Sequence, residues 1–327
     1  MAALFDSFQR RIDYMRVSVT DRCNLHCGYC MAQLVPHLSH DEVLSYEEIQ
    51  RLVQVAAGLG VKKIRLTGGE PLVRPNLSTL VGLLAQVVGI DDISLTTNAV
   101  LLSKYAAELK VAGLKRVNVS LDSFKADKFR RITGSGKLKD VFSGIEAAEK
   151  ARLEPVKINM VVLKGINDDE LLDFAQASVS RGWHVRFIEH MPLVASGVER
   201  SRLVATPEMM AIISESLGEL EPCRLVSGNG PAKYYRLPGA KGTIGFIGPI
   251  TDCFCSGCNR FRVTADGRLR PCLLEDSEVD LKGPLRNGAS IEELKQLMLG
   301  AAALKKERHR LSEEFVPGKR QMWQIGG

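Results

Sequence analysis

The chain has 327 residues, 45% apolar and 25% charged, with a net charge of +6. That is globular composition, and a chain this long folds without disulfide staples. Basic and acidic residues are interspersed with no long basic run, which argues against a nucleic-acid partner. The first twenty residues carry Asp6, Arg10, Arg11, Asp13 and Arg16, so they hold no secretory apolar core. The longest apolar stretch, Leu80 to Ile90, is too short to span a bilayer. A cytoplasmic protein with no membrane partner is expected. The 8 cysteines crowd near 23–30 and 253–258, which predicts metal or cofactor ligation in a reducing compartment.

In chain order, a predicted strand over Tyr14–Thr20 leads into Cys23-x3-Cys27-x2-Cys30. Ile49, Leu52, Val53 and Ala56 then recur at helical spacing. Ser45 and Glu48 form a capping box before them, and Gly58 and Gly60 end the helix. Strands over Val61–Thr67, Asp92–Thr97, Lys115–Leu121, Pro155–Leu163 and Trp183–Glu189 alternate with helices near 77–88, 101–111, 140–151 and 169–181. Such alternation predicts a parallel α/β sheet, either doubly wound or an incomplete (β/α)6 TIM-like barrel. Polar groups gather at the strand ends: Thr67-Gly68-Gly69-Glu70, Thr96-Thr97-Asn98, Ser120-Leu121-Asp122 and Glu189-His190-Met191. A barrel brings all such ends to one rim, whereas a doubly wound sheet concentrates them at one switch point. The spread favours the barrel.

After the loop Ser227-Gly228-Asn229-Gly230-Pro231 the texture changes to short strands, a second cysteine group and a charged helix over Ile291–Leu311. Two domains are expected, a barrel over 1–225 and an α+β extension over 226–327 packed on it. Cys255-x2-Cys258-x13-Cys272 is the second three-cysteine set. By spacing alone, each set suits either a zinc site completed by another ligand or an iron–sulfur cluster with one open iron. Cys223 and Cys253 stay unassigned, although Cys253 is close enough to Cys255 to act as an alternate ligand. His184 and His190 read as structural. Lys157 lies among Val156, Ile158 and Met160 in a strand, where a charge needs a partner or a ligand.

The first cysteine set, with Tyr29 before its last cysteine, and Gly68-Gly69-Glu70-Pro71 resemble the signatures of the radical S-adenosylmethionine (SAM) enzymes. Cys258-Asn259-Arg260-Phe261-Arg262, Arg270-Pro271-Cys272-Leu273, Asp13-Tyr14-Met15-Arg16, Arg186-Phe187-Ile188-Glu189 and the final Gly326-Gly327 narrow the resemblance to the GTP 3′,8-cyclases of molybdenum-cofactor biosynthesis. That family's chemistry implies conversion of GTP to 3′,8-cyclo-7,8-dihydro-GTP. It implies two [4Fe–4S] clusters, one on Cys23, Cys27 and Cys30 that cleaves SAM, and one on Cys255, Cys258 and Cys272 that binds GTP. Tyr29, Gly69, Glu70, Asn98, Ser120 and Met191 are then expected around SAM. Arg16, Lys63, Arg65, Thr96, Lys157, Arg260 and Arg262 match the GTP positions, since arginine makes bidentate contacts with phosphate.

Arg16, Arg260, Arg262, Gly326 and Gly327 are expected to serve the catalytic step. The resemblance implies an electron donor and molybdopterin protein C downstream, and a homodimer is compatible with it. The proline usual after Met31 is missing, and Ala99 stands where glycine is usual. Both changes bear on loop geometry. The alternatives are a peptide-modifying radical SAM enzyme with an auxiliary cluster, a non-catalytic iron–sulfur carrier, and a zinc-binding structural protein.

Overall fold

The computed structural model describes residues 3–31, 36–191, 202–224, 230–309 and 320–326. Six strands, β1 (Tyr14–Ser18), β2 (Lys63–Thr67), β3 (Asp92–Thr97), β4 (Arg116–Ser120), β5 (Lys157–Val162) and β6 (His184–Glu189), pair in parallel in sequence order. The crossovers carry α1 (Tyr46–Gly58), α2 (Leu77–Ala85), α3 (Leu102–Ala112), α4 (Ala126–Thr133), α5 (Leu138–Lys150) and α6 (Leu171–Ser180). The expected capping box opens α1. The Ser45 hydroxyl accepts from the Glu48 N–H, and the Glu48 carboxylate accepts from the Ser45 N–H.

The side-chain alternation of each strand explains the architecture. Met15, Val17, Ile64, Leu66, Ile93, Leu95, Val117, Val119, Ile158 and Met160 form an apolar face, fully buried in the core. The opposite face carries Arg16, Arg65, Thr96, Ser120, Asn159 and Arg186, which surround a cavity. A sheet that is apolar outside and polar inside curls around a polar ligand.

The extension does more than pack on the barrel, because its strands, together with β7 just ahead of residue 226, prolong both edges of one sheet. Beyond β6 come β7 (Glu221–Cys223), β8 (Lys233–Arg236) and β9 (Thr243–Ile247), with β9 parallel to β6 and the other two antiparallel outside it. Beyond β1 come β10 (Arg260–Val263), β11 (Arg268–Arg270) and β12 (Val279–Asp280), with β10 parallel to β1. The two outer edges do not pair among the described residues, so the barrel is open and incomplete, as expected. Three further helices are α7 (Thr206–Leu217), α8 (Lys282–Arg286) and α9 (Ile291–Ala303).

Four helices depart from the sequence reading: α4, α7 and α8 fall where it places no helix, and α9 ends early. α4 has only Phe129 and Ile132 as large buried apolar residues, too few for its period to be read. α9 stops at Ala303, short of Leu311, because the chain turns inward at Lys305. The buried Lys305 ammonium donates to the carbonyls of Arg260, at 3.2 Å, and Pro271, at 2.5 Å.

Candidate active site

Both three-cysteine sets line one cavity at the carboxyl ends of the strands. Cys23, Cys27 and Cys30 sit on the loop after β1. Cys255 and Cys258 sit on the turn before β10, and Cys272 follows β11.

The first set is held by close backbone packing. The Gly69 N–H donates to the Thr20 carbonyl and the Glu70 N–H to the Arg22 carbonyl, both at 2.8 Å. A Cβ on Gly68 would lie 2.6 Å from the Thr20 oxygen, and one on Gly69 would lie 2.4 Å from the Arg22 oxygen. Only glycine lets these two backbones meet. From the far side the His26 N–H donates to the Thr133 carbonyl at 2.8 Å. The Leu25 N–H donates to the Cys23 sulfur at 3.4 Å. Burial raises all three thiols, Cys23 to about 11 and Cys30 to about 12, and mutual repulsion of their thiolates adds to the effect at Cys27 and Cys30. Three half-buried thiols that resist ionisation together suit a cationic iron–sulfur group, which favours thiolates and releases their protons.

The Glu70 carboxylate accepts from the Leu72 N–H, the Thr97 hydroxyl and the Asn98 N–H, at 3.1, 2.7 and 2.7 Å. Burial outweighs these donors and lifts it to about 7. Glu70 therefore ties the end of β3 to the cysteine loop as well as lining the cavity. Asn98 continues the tie, its amide donating to Asn24 at 2.8 Å. Ala99 adopts φ +62°, the left-handed conformation that the usual glycine would take, so the chain path is kept. The Tyr29 hydroxyl donates to Asp122 at 2.7 Å, which aims the ring into the cavity.

The second set is assembled from distant segments. Lys305 ties the start of β10 to Pro271, which places Cys258 near Cys272. Burial would raise the Cys258 thiol, but the Lys305 and Arg260 cations outweigh it and lower it. The Leu274 N–H donates to the Cys272 sulfur at 3.4 Å. Arg10, paired with the buried Asp6 at 2.5 Å, donates to the carbonyls of Cys255, Lys306 and Glu307. This donor set also suits an iron–sulfur group: three cysteines, sulfur-directed N–H groups and adjacent cations.

Between the two sets the wall is arginine-rich. Arg16, Arg65, Arg186, Arg260 and Arg262 all line it. Register explains why: Arg16 lies between Arg65 on β2 and Arg262 on β10, and Arg186 lies beside Asn159. Burial and the neighbouring Arg260 push Arg262 down to about 10, and burial with Arg186, Arg116 and Arg260 does the same to Arg65. At about 10, Arg65 and Arg262 stay charged at neutral pH. Tyr14 OH, Thr67 Oγ1, Thr96 Oγ1, Asn159 Oδ1, Arg186 Nε and Arg260 Nε are buried and have no hydrogen-bond partner among the described residues. Buried polar atoms are normally paired, so this wall is complementary to a polyanionic, polar ligand.

The segment 320–326 closes the cavity. Met322 and Trp323 line it, and the Trp323 backbone N–H donates to the Cys30 sulfur. The Gly326 carbonyl accepts from Arg16 at 3.0 Å and Arg262 at 3.5 Å. Gly327 lies outside the described residues, as do residues 32–35, which follow the Met31 that lacks its usual proline.

The structure thus brings together Arg16, Tyr29, Arg65, Gly69, Glu70, Thr96, Asn98, Ser120, Met191, Arg260 and Arg262 with the six cysteines. Lys63 and Lys157 do not line the cavity. They sit at the starts of β2 and β5, two positions before Arg65 and Asn159 on the same strand faces. Glu189 also turns away, its carboxylate accepting from the N–H groups of Thr206, Ile250 and Thr251 at 2.8 to 3.1 Å. Asp122 lies on the wall as its strand-end group implied, whereas sequence reading missed Arg186 and Asn159 as wall residues. Arg186 carried a usable signal, a charge between the apolar Val185 and Phe187 within a strand.

Residues 17–177 match the Radical SAM superfamily, and residues 183–311 match the family described as Molybdenum Cofactor Synthesis C. A GTP 3′,8-cyclase of Pelotomaculum thermopropionicum is 52% identical over 324 residues, 98% of this chain and 99% of that protein. A GTP 3′,8-cyclase of Moorella thermoacetica is 50% identical over 323 residues, again 98% of this chain and 99% of that protein. Among solved structures, Streptococcus suis SuiB bound to S-adenosylmethionine superposes with a TM-score of 0.64 at 12% identity, over 82% of this chain and 63% of that one. At that identity the likeness is one of fold.

Proposed function

The chain belongs to the GTP 3′,8-cyclase family of radical SAM enzymes, and from that membership we propose how its cavity serves the reaction. The protein converts GTP to 3′,8-cyclo-7,8-dihydro-GTP in molybdenum-cofactor biosynthesis. Its cofactors are SAM and two [4Fe–4S] clusters. When bound, these groups supply a 5′-deoxyadenosyl radical that takes hydrogen from the ribose, and a vacant iron for the purine.

The roles of the chain's own residues are our reading. Cys23, Cys27 and Cys30 hold the SAM-cleaving cluster. Gly69 and Asn98, positioned by Glu70, meet the methionine part of SAM, and Tyr29, Ser120 and Met191 border the rest. Cys255, Cys258 and Cys272 hold the substrate-side cluster. Arg16, Arg65, Arg260 and Arg262 neutralise the triphosphate, with Lys63 and Lys157 deeper along the same faces and Thr96 supplying a hydroxyl. Arg186 joins this group. Gly326, drawn in by Arg16 and Arg262, packs the mouth of the cavity and excludes water from the radical, and Gly327 extends it. Residues 1–225 form the SAM half and 226–327 the substrate half. The product passes to molybdopterin protein C, an electron donor feeds the clusters, and the protein works in the cytoplasm, in a form compatible with a homodimer.

One observation carries this reading: two incomplete cysteine sets line one cavity with five arginines between them, Arg186 and Arg262 buried and the other three half-buried. Anaerobic reconstitution should give about eight irons per chain. Incubation with SAM, dithionite and GTP should then yield 5′-deoxyadenosine together with cyclised GTP. SAM cleavage indifferent to GTP would overturn the substrate roles assigned to the arginines. About four irons would overturn the second cysteine assignment.

A further inference from the structure

Three donor atoms stand together at the edge of the second cysteine set. The Cys253 and Cys255 sulfurs and a ring nitrogen of His309 all lie within 4.8 Å of one another. Cys253 is exposed, Cys255 half-buried and His309 buried. The three are also tied by hydrogen bonds. The His309 backbone N–H donates to the Cys255 sulfur, and the Cys253 and Cys255 thiols are hydrogen-bonded to each other. The His309 ring donates to the Pro249 carbonyl, the arrangement that commonly orients a ligating imidazole. Phe254, between the two cysteines, lies under the Arg260 guanidinium with 5.5 Å to its ring centroid, which steadies the turn.

Donor spacing selects the kind of metal. Two thiolates on one tetrahedral zinc at ~2.3 Å stand roughly 3.8 Å apart. The separations here need to contract by no more than about an ångström to meet that geometry. Thiolates on different irons of one cube stand wider. Two thiolates and an imidazole are also a donor set that zinc prefers, and the exposed Cys253 gives the ion a path from solvent.

We propose that Cys253, Cys255 and His309 form a mononuclear site for a thiophilic divalent cation of the zinc class, with water as the fourth ligand. This site and the second iron–sulfur cluster exclude one another, because both require the Cys255 thiolate. On the cluster-free chain binding sends both thiol protons to solvent; on the loaded chain only Cys253 loses one, and the Cys255 thiolate exchanges iron for zinc. The exclusion rests on the assignment of Cys255 to the cluster, whereas the ion site does not. Free zinc would then compete with cluster assembly on the substrate side and leave the SAM side intact.

The test uses the full-length chain reconstituted anaerobically with iron and sulfide, incubated with Zn²⁺ and desalted. Zinc and iron are counted by mass spectrometry, and the SAM-bound cluster is followed by EPR. One zinc should enter per chain as the iron of one cluster leaves, with the SAM-dependent EPR signal retained. Co²⁺ should show thiolate-to-cobalt absorption. Cys253→Ser should weaken zinc at least about tenfold and protect the iron. His309→Gln should do the same, and if that buried substitution impairs folding, the exposed Cys253→Ser still decides. Unaltered zinc affinity in Cys253→Ser would overturn the site. Zinc uptake that depends on Cys253 but releases no iron would overturn the exclusion. About four irons before zinc is added would instead overturn the cluster assignment beneath it.

Discussion

Arg16 Nη2 donates to the Gly326 carbonyl at 3.0 Å, joining β1 to a segment 310 residues away. Gly326 has φ +78°, and a Cβ there would stand 2.5 Å from Thr67 Oγ1. Gly326→Ala is therefore both strained and crowded. It should lower cyclised product about tenfold or more, while iron content and the fold stay as in the parent. Product assayed beside iron per chain checks this, and a parallel fall in iron would show that the segment supports a cluster instead.

The Gly69 contact makes the opposite expectation. A methyl group 2.4 Å from the Arg22 carbonyl must push the first cysteine loop away. Gly69→Ala should lose about half of the reconstituted iron, and with it SAM cleavage. Iron analysis and 5′-deoxyadenosine release measure the two effects separately.

Arg262 and Arg260 lie on the wall between the cysteine sets. Arg262→Lys keeps the charge and loses the planar fork, so GTP should bind about ten- to a hundredfold more weakly. Arg260→Ala should behave similarly. Calorimetry with GTP on the reconstituted variants tests both, with iron content as the control.

Lys157 gives a pH signature. Burial first, then Arg186, Arg116 and Arg65, holds it down at about 6 against an ordinary 10.5. The empty protein thus carries a mostly neutral amine at pH 7.5. A triphosphate nearby favours the ammonium, so GTP binding takes up a proton and weakens as pH rises from 6 to 8. Lys157→Met should flatten that dependence, and binding heats in buffers of different ionisation enthalpy report the proton directly. Stability of the ligand-free chain runs the other way. The unfolded amine holds a proton that the folded one has lost between about 6 and 10.5, so stability rises with pH across that window.

Arg10 and Asp6 form a buried pair at 2.5 Å, and Arg10 also holds three carbonyls beside the second cysteine set. Arg10→Ala leaves Asp6 buried and uncompensated, a loss of about 3–5 kcal/mol. A lowered Tm with selective loss of second-cluster iron is expected, read by thermal melts and metal counts.

The barrel strands were legible because alternation and β-branched runs record backbone conformation locally. Asp92–Thr97 matches the sequence expectation at both ends, and the other five strands shorten by one to three residues at their ends. The cysteine sets were legible because three ligands lie within a few turns of chain. Arg186 stood out as a charge in its strand, but its place in the wall was hidden because its neighbours Asn118 and Asn159 come from other strands. The tie made by Glu70 was hidden for the same reason, since Thr97 and Asn98 belong to β3.

Taken alone, the sequence determined which residue types could ligate iron, where strands and helices alternate, and which family's motifs the chain carries. Such properties depend on neighbours within a turn or a strand, where spacing alone sets geometry. Only the tertiary structure decided that the extension joins both edges of the sheet, that 320–326 enters the cavity, and that Cys253 meets His309. Those relationships follow from sheet register and from packing between segments tens to hundreds of residues apart, which no local pattern encodes.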